Sequence, residues 1–428
     1  MDYLTNSFSL SPTLSIWTKT RLKLYEIMLF VSAISIVPLR IFTYIQTLPN
    51  YLRLLLTFGS IACFLVGVLL SPKKERNRLL SLLCISFVFC TLNWLGQWKD
   101  RISFFEKMYA NYLFFLPFLL SIFFLKWSKV KYKKVLLLYI FILEIITLIT
   151  TILGLRQYPT AARDLASEAA SNPVYKQLNI GGYDFIYGLV VLLPTILFFI
   201  NQRKHKIIWL FLLVASIYCI VISQYSIAIV LSFGIIVIYF LLRVKSIEAR
   251  FFLILFFVLG LLAILLFSET IFLTLSGFFK TINLDGVATK FYDLSRSLSS
   301  NSSSGTVESR FYQYKLSFLA ILESPLYGHI FEQASAGGGH SEIMDIWVAG
   351  GIFAFLVAFY MCHKHLNSFK RHCSNKCLLN SYFLGYFAFI AISSFNTVLN
   401  SPLICINAFL IPALIVNIDE SGFQKKRG

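Results

Sequence analysis

The chain has 428 residues, 57% of them hydrophobic and only 14% charged, with a formal net charge of +18. Soluble domains run nearer half apolar and a quarter charged, so this balance excludes an ordinary soluble fold. The positive charge is topological rather than a nucleic-acid footprint, because it gathers in every second connection between apolar runs.

In chain order, runs long enough to cross roughly 30 Å of hydrocarbon predict spans at 24–46, 52–71, 79–96, 108–126, 134–154 and 182–200. A second set follows at 207–223, 226–242, 251–268, 345–362, 378–398 and 402–418. Lys and Arg cluster at 19–23, 73–78, 126–134, 203–206, 243–250, 364–376 and 425–427. Positive loops stay in the cytoplasm, so the reading is an all-α integral membrane protein of about twelve transmembrane helices with both termini cytoplasmic. Short separations predict tight hairpins around Gln224 and Ser401.

Three regions result: 1–268 with helices 1–9 and an outer loop at about 155–181, a large outer loop at 269–344, and 345–428 with helices 10–12 and a cytoplasmic tail. The eight cysteines lie in apolar spans or at Cys373 and Cys377 in one cytoplasmic loop, so structural disulfides are not expected. The first apolar stretch is too long for a signal-peptide core and lacks a small-residue cleavage site, so it is expected to stay as an anchor. His363, His365, His372, Cys373 and Cys377 match no standard zinc spacing and read as part of a positive loop.

Loops beyond about fifteen residues are usually functional or disordered. In the first, 160–171 predicts a short helix closed by Asn172-Pro173. In the second, a Ser-rich connector at 299–305 precedes Val307, Phe311, Tyr314, Phe318 and Ile321, whose spacing predicts an amphipathic helix over 306–323. Thr306 would cap that helix, and Pro325 and Gly328 lie beyond its end. Outside the membrane such a helix lies along the interface or over a cavity mouth.

Ionisable residues in or against the membrane are costly, which makes Arg40, Glu144, Asp184, Glu342 and Asp345 functional candidates. For Glu144 the competing reading is a structural pairing with an Arg or Tyr; Arg40 can instead snorkel. The outward loops add Arg156, Arg163, Arg310 and His340, each alternatively a headgroup contact. Arginines can stabilise charge developing on a phosphate leaving group, and histidine can accept a proton near ambient pH.

The elements Ser309-Arg310, Ser324-Pro325-Leu326-Tyr327-Gly328, His340-Ser341 and Gly350-Gly351 resemble the signature of the bacterial O-antigen polymerase and O-antigen ligase-like superfamily. The segment Gly181-Gly182-Tyr183-Asp184-Phe185-Ile186-Tyr187-Gly188 is similar to one in capsule and exopolysaccharide polymerases. The resemblance implies metal-independent glycosyl transfer without a cofactor, on the outer face of the bacterial cytoplasmic membrane, in a fold similar to the C-type glycosyltransferases. Its substrate would be an oligosaccharide on undecaprenyl diphosphate, and its partners other assembly proteins such as a flippase and a chain-length regulator.

On that resemblance Arg310 grips the diphosphate, Arg163 or Arg156 supplies a second cation, and His340 receives the acceptor proton. Tyr183, Asp184, Tyr314, Glu342 and Asp345 would hold sugar hydroxyls or orient these groups, with helix capping as the alternative. At Ser223-Gln224 the sequence departs from the Ser-Arg pair frequent in the family. A ligase that moves a finished glycan, and a carrier that flips a lipid-linked sugar, remain alternatives. A carrier should show related halves and charges at midplane, whereas no internal repeat is visible here.

Overall fold

The computed structural model describes residues 12–96, 104–127, 129–165, 173–202, 205–244, 268–282, 284–299, 306–330, 339–399 and 401–416, with a few isolated positions besides. Among the described residues every regular element is helical. In order these are α1 (Pro12–Ile36), α2 (Pro38–Ile41), α3 (Asn50–Leu70), α4 (Lys73–Leu95), α5 (Phe104–Lys126), α6 (Val130–Gln157), α7 (Ala161–Asp164), α8 (Pro173–Gln177) and α9 (Tyr183–Asn201). The rest are α10 (Lys206–Ile222), α11 (Ser226–Leu241), α12 (Ser268–Thr281), α13 (Asp285–Ser299), α14 (Thr306–Glu323), α15 (Glu342–His372), α16 (Lys376–Phe395), α17 (Pro402–Cys405) and α18 (Ile411–Ile415).

Seven described helices are long and apolar enough to cross a membrane, from Leu24–Ile41 to Lys376–Phe395, and four shorter apolar ones accompany them. These coincide with predicted spans, while the span predicted at 251–268 lies almost wholly outside the described residues. The chain is therefore a multi-pass helical membrane protein by the length and composition of its helices. The outward-facing residues agree: Ile207, Phe211 and Val214 on α10 and Val230 and Phe233 on α11 are exposed, as apolar side chains are when lipid is the solvent.

At the centre stands α9, buried over most of its length and packed by α10, α11, α16 and α17. Its entry is pinned to α6. Asn179, in the left-handed region at φ 53°, donates through Nδ2 to Thr147 and Thr150 Oγ1 at 3.1 and 3.2 Å. The Gly181 N–H donates to Thr151 Oγ1 at 2.8 Å, so three threonines on one stripe of α6 set where Tyr183 and Asp184 begin the helix.

Two expectations are corrected. The first span does not run to 46: helix continues past Pro38 to Ile41, Phe42 is extended, and the chain leaves as a 3-10 turn at Thr43–Thr47. The connection before Ser401 is no tight hairpin: α16 stops at Phe395, and the following residues, extended at Asn396, give their backbone groups to side chains of other helices. The amphipathic helix over 306–323 forms as α14, with Phe311 and Phe318 of its apolar stripe exposed.

The 269–344 segment also holds a helix pair that the sequence reading passed over. Phe279 of α12 stacks on Phe291 of α13 at 5.4 Å, and Leu284, Val287 and Ala288 are buried at the turn. Residues 166–172 of the predicted first-loop helix and 300–305 of the Ser-rich connector lie outside the described residues.

Two glycines shape the remaining long helix. Within α15, Gly350 and Gly351 leave helical geometry, and Gly351 adopts φ 64°, ψ −163°, a conformation reserved for glycine. Into this break fits the segment after α14. Pro325 O accepts from Ile352 N and from Trp347 Nε1, both at 3.0 Å, and His329 N donates to Val348 O at 2.9 Å. Gly328, at φ 60°, passes so close to Val348 O and Gly351 N that a Cβ there would overlap them. Two of the motifs that carry the family resemblance thus form one structural unit.

Candidate functional site

The site is assembled at the helix ends around the start of α9. Arg163 sits on the single turn α7, whose Ala161 and Ala162 are buried and whose Ala162 carbonyl accepts from Tyr225 Oη at 2.7 Å. Tyr225 lies in the predicted tight turn between α10 and α11, where Gln224 takes φ 59°. Below it Tyr183, Tyr187 and Tyr225 form an aromatic triangle with ring centroids 4.6, 5.6 and 6.1 Å apart. Such rings are rigid and carry hydroxyls, so they can wall a polar pocket without long side chains to order.

Arg310 arrives from α14. It lies against the Tyr314 hydroxyl one turn later and within electrostatic reach of Tyr187 and His340. Arg163 and Arg310 are both within electrostatic reach of Lys290 of α13, although the three come from separate segments. Two of the sequence-predicted catalytic residues, Arg163 and Arg310, thus reach one lysine electrostatically, and the third, His340, is within electrostatic reach of Arg310. Burial first, and Arg310 second, hold the His340 imidazole below its ordinary value of 6.5.

The His340 loop is held by α15. Asp345 Oδ1 accepts from Gly339 N at 3.3 Å and from Ser317 Oγ at 3.4 Å, while its Oδ2 accepts from Ser341 N at 3.3 Å. The backbone on both sides of His340 is thus tied to one carboxylate. Ser341 caps the helix by accepting from Met344 N at 3.4 Å.

The other candidates converge on the connection between α16 and α17, a segment the sequence reading took for a mere turn. Tyr314 Oη donates to Phe395 O at 3.2 Å, and Tyr183 Oη to Thr397 O at 3.0 Å. Glu342 Oε2 accepts from Val398 N and Leu399 N at 2.7 and 3.0 Å, and Ser401 Oγ donates to Asp184. Asn396 Nδ2 reaches Tyr187 Oη at 3.3 Å. Helices α9, α14 and α15 are fastened to one strap of backbone, which makes Tyr183, Asp184, Tyr314 and Glu342 builders of the site's floor. No local signal marks Asn396 to Ser401, because their partners lie far away in sequence.

Arg156 does not join the cluster's visible contacts: α6 continues to Gln157, and the exposed Arg156 guanidinium lies over the Tyr218 ring at 5.8 Å. Arg40 is within electrostatic reach of Asp184, which gives it a role at the floor. Glu144 is buried, and the side chain its carboxyl meets among the described residues is Asn407, not an Arg or Tyr. His329, a second histidine of the 269–344 segment, is buried at the α15 break.

Among the described residues no group of three or more His, Cys, Asp or Glu side chains could hold a metal ion. The histidines of the positive loop go separate ways. His365 is buried between Ser121 Oγ and Tyr382 Oη, each at 2.7 Å, while the His363 ring meets Asn367 and His372 bonds to Ser368 O.

Fold and site together define a multi-pass helical membrane protein in which Arg163, Lys290, Arg310 and His340 gather near a cluster of tyrosines where its helices end. No protein-family model matches the chain, and no curated protein matches it.

Proposed function

We propose that the chain is a polysaccharide polymerase that joins undecaprenyl-diphosphate-linked oligosaccharide repeat units on the outer face of the bacterial cytoplasmic membrane. The observation that supports this reading is the neighbourhood of Arg163, Arg310 and His340, drawn from three separate segments. A lipid-linked donor presents a diphosphate at the membrane surface and its sugar beyond it, which is the polarity such a pocket would meet.

The chemistry balances with these groups. An acceptor hydroxyl attacks the anomeric carbon as the bond to the diphosphate oxygen breaks, and undecaprenyl diphosphate leaves with the electron pair. Arg163 and Arg310 stabilise the charge that grows on it, and being permanently charged they need no metal to do so. His340 takes the hydroxyl proton as general base. Its lowered pKa keeps the imidazole neutral, and so able to accept, down to more acidic pH than an ordinary histidine.

Two tests follow. His340→Ala is expected to abolish chain elongation in cells at normal protein level; unchanged polymer length would sink the assignment. In the wild type, kcat/KM should fall as pH drops through a value below 6.5, where the base becomes protonated. Asp345, which anchors the His340 loop, acts as a positioning residue: Asp345→Ala should lower kcat by up to about 100-fold with KM little changed, as misplacement of a base does. A rise in KM alone would instead mean that Asp345 binds sugar.

A further inference from the structure

A diphosphate leaving group carries more negative charge than two guanidiniums offset, and the 269–344 segment brings another cation to the same place. We propose that Lys290 is a third anion-binding residue of this pocket, gripping the leaving diphosphate together with Arg163 and Arg310. This inference rests on the reading of the pocket as a lipid-diphosphate site.

The geometry begins one turn earlier on α13. The Gly286 N–H donates to Gln224 Oε1 at 2.8 Å, which fastens the helix to the turn between α10 and α11. Gly286 also lies so close to Arg163 that a Cβ there would run into Nη1 as well as into Gln224 Oε1. Lys290 is four residues on, hence on the same helix face. The packing of α13 on α12 fixes how that face is turned, because Phe291 stacks on Phe279 of α12 and Val287, four residues before it, is buried.

Like charges do not gather in a half-buried place without cause. The two charges that act on Lys290 are both guanidiniums, and burial together with them pushes its ammonium down to about 8. A flexible four-carbon stem would ordinarily carry the charge to solvent. An arrangement that is self-repulsive when empty and neutralised by a polyanion is what an anion site looks like before its ligand arrives. Gln224 then acts as the neutral latch that brings Lys290 in: its side chain sits against Arg163 and uses its oxygen on the helix that carries the lysine.

The test uses the full-length chain in lipid nanodiscs, with farnesyl diphosphate and farnesyl monophosphate as probes in a calorimetric or thermophoretic titration. The wild type is expected to prefer the diphosphate, Lys290→Ala to bind it at least tenfold more weakly with the preference narrowed, and Lys290→Arg to recover most of the affinity, since charge-assisted contacts are the strong ones. A structural role would not change the preference between two phosphates. Should Lys290→Ala melt early, Lys290→Met keeps the stem and removes only the charge. Undiminished diphosphate affinity in the uncharged variants, with Arg310→Ala weakened, would remove Lys290 from the site and leave the lipid-diphosphate reading standing. A wild type that does not distinguish the two probes would overturn both.

Discussion

Replacing Arg310 by alanine is expected to stop polymer growth, with the elongation rate reduced roughly 100- to 1,000-fold, the cost of losing one donor aimed at developing charge. Arg310 touches Tyr314, acts on His340 and Lys290, and reaches Tyr187, so its removal empties the middle of the cluster rather than its rim. The helix that carries it should survive, because the packed face of α14 rests on Ser317 and Ala320. The measurement is gel separation of surface and lipid-linked glycans from cells lacking the native chain and complemented with either version. Single repeat units accumulating on the lipid, with long chains restored by the wild type alone, would establish the polymerase. Full-length chains stranded on the lipid would make the protein a ligase, and units held on the inner face would make it a carrier and dissolve the site.

The second large effect is on folding. Gly351→Ala should cost about 3 kcal/mol or more, because its backbone conformation is one that other residues adopt only at about 1–3 kcal/mol and the new Cβ would also meet the Leu326 carbonyl and Gly328 N. The break in α15 and the segment from Ser324 to His329 are one packed unit, so relaxing either side displaces the other. Little folded protein should survive size-exclusion in detergent, and what survives should melt well below the wild type. Gly234→Ala is the control, since a Cβ there meets nothing within 4 Å. A Gly351→Ala protein that melts like the wild type would show that the segment does not depend on the break.

How much of this could be read from residues alone depends on the range of the interaction. The spans at 134–154 and 182–200 were legible because most residues in them carry the same signal, an apolar side chain where water would need a polar one. The helix over 306–323 was legible because its period is written locally, although the period does not say which stripe residues are covered by protein and which stay exposed. An apolar stripe marks what avoids water, and a membrane offers two such places, so the exposed Phe311 and Phe318 could not be told from core residues. Helix α12 is apolar but too short to read as a span, and α13 was hidden by its low mean hydropathy, although Leu284, Val287, Ala288 and Phe291 do repeat at helical spacing.

The candidate site divides in the same way. Arg163, Arg310 and His340 stood out by chemical type, since permanent cations and a histidine in outward loops are few, whereas Lys290 looked like any charge in a loop. Asn396 to Ser401 looked like a connector, and only the folded chain brings Tyr183, Tyr314 and Glu342 to its backbone and Asp184 to the Ser401 hydroxyl.

By itself the sequence determined that the chain lives in a membrane, where most of its helices run, and which residue types were available for phosphate and proton chemistry, because each depends on composition and local period. Tertiary structure alone decided which cations become neighbours, that Asp345 holds the His340 loop, and that two glycine motifs close on one another. Those outcomes rest on interactions between residues from a few to well over a hundred positions apart, whose geometry is set by helix packing and not by any residue's own preference.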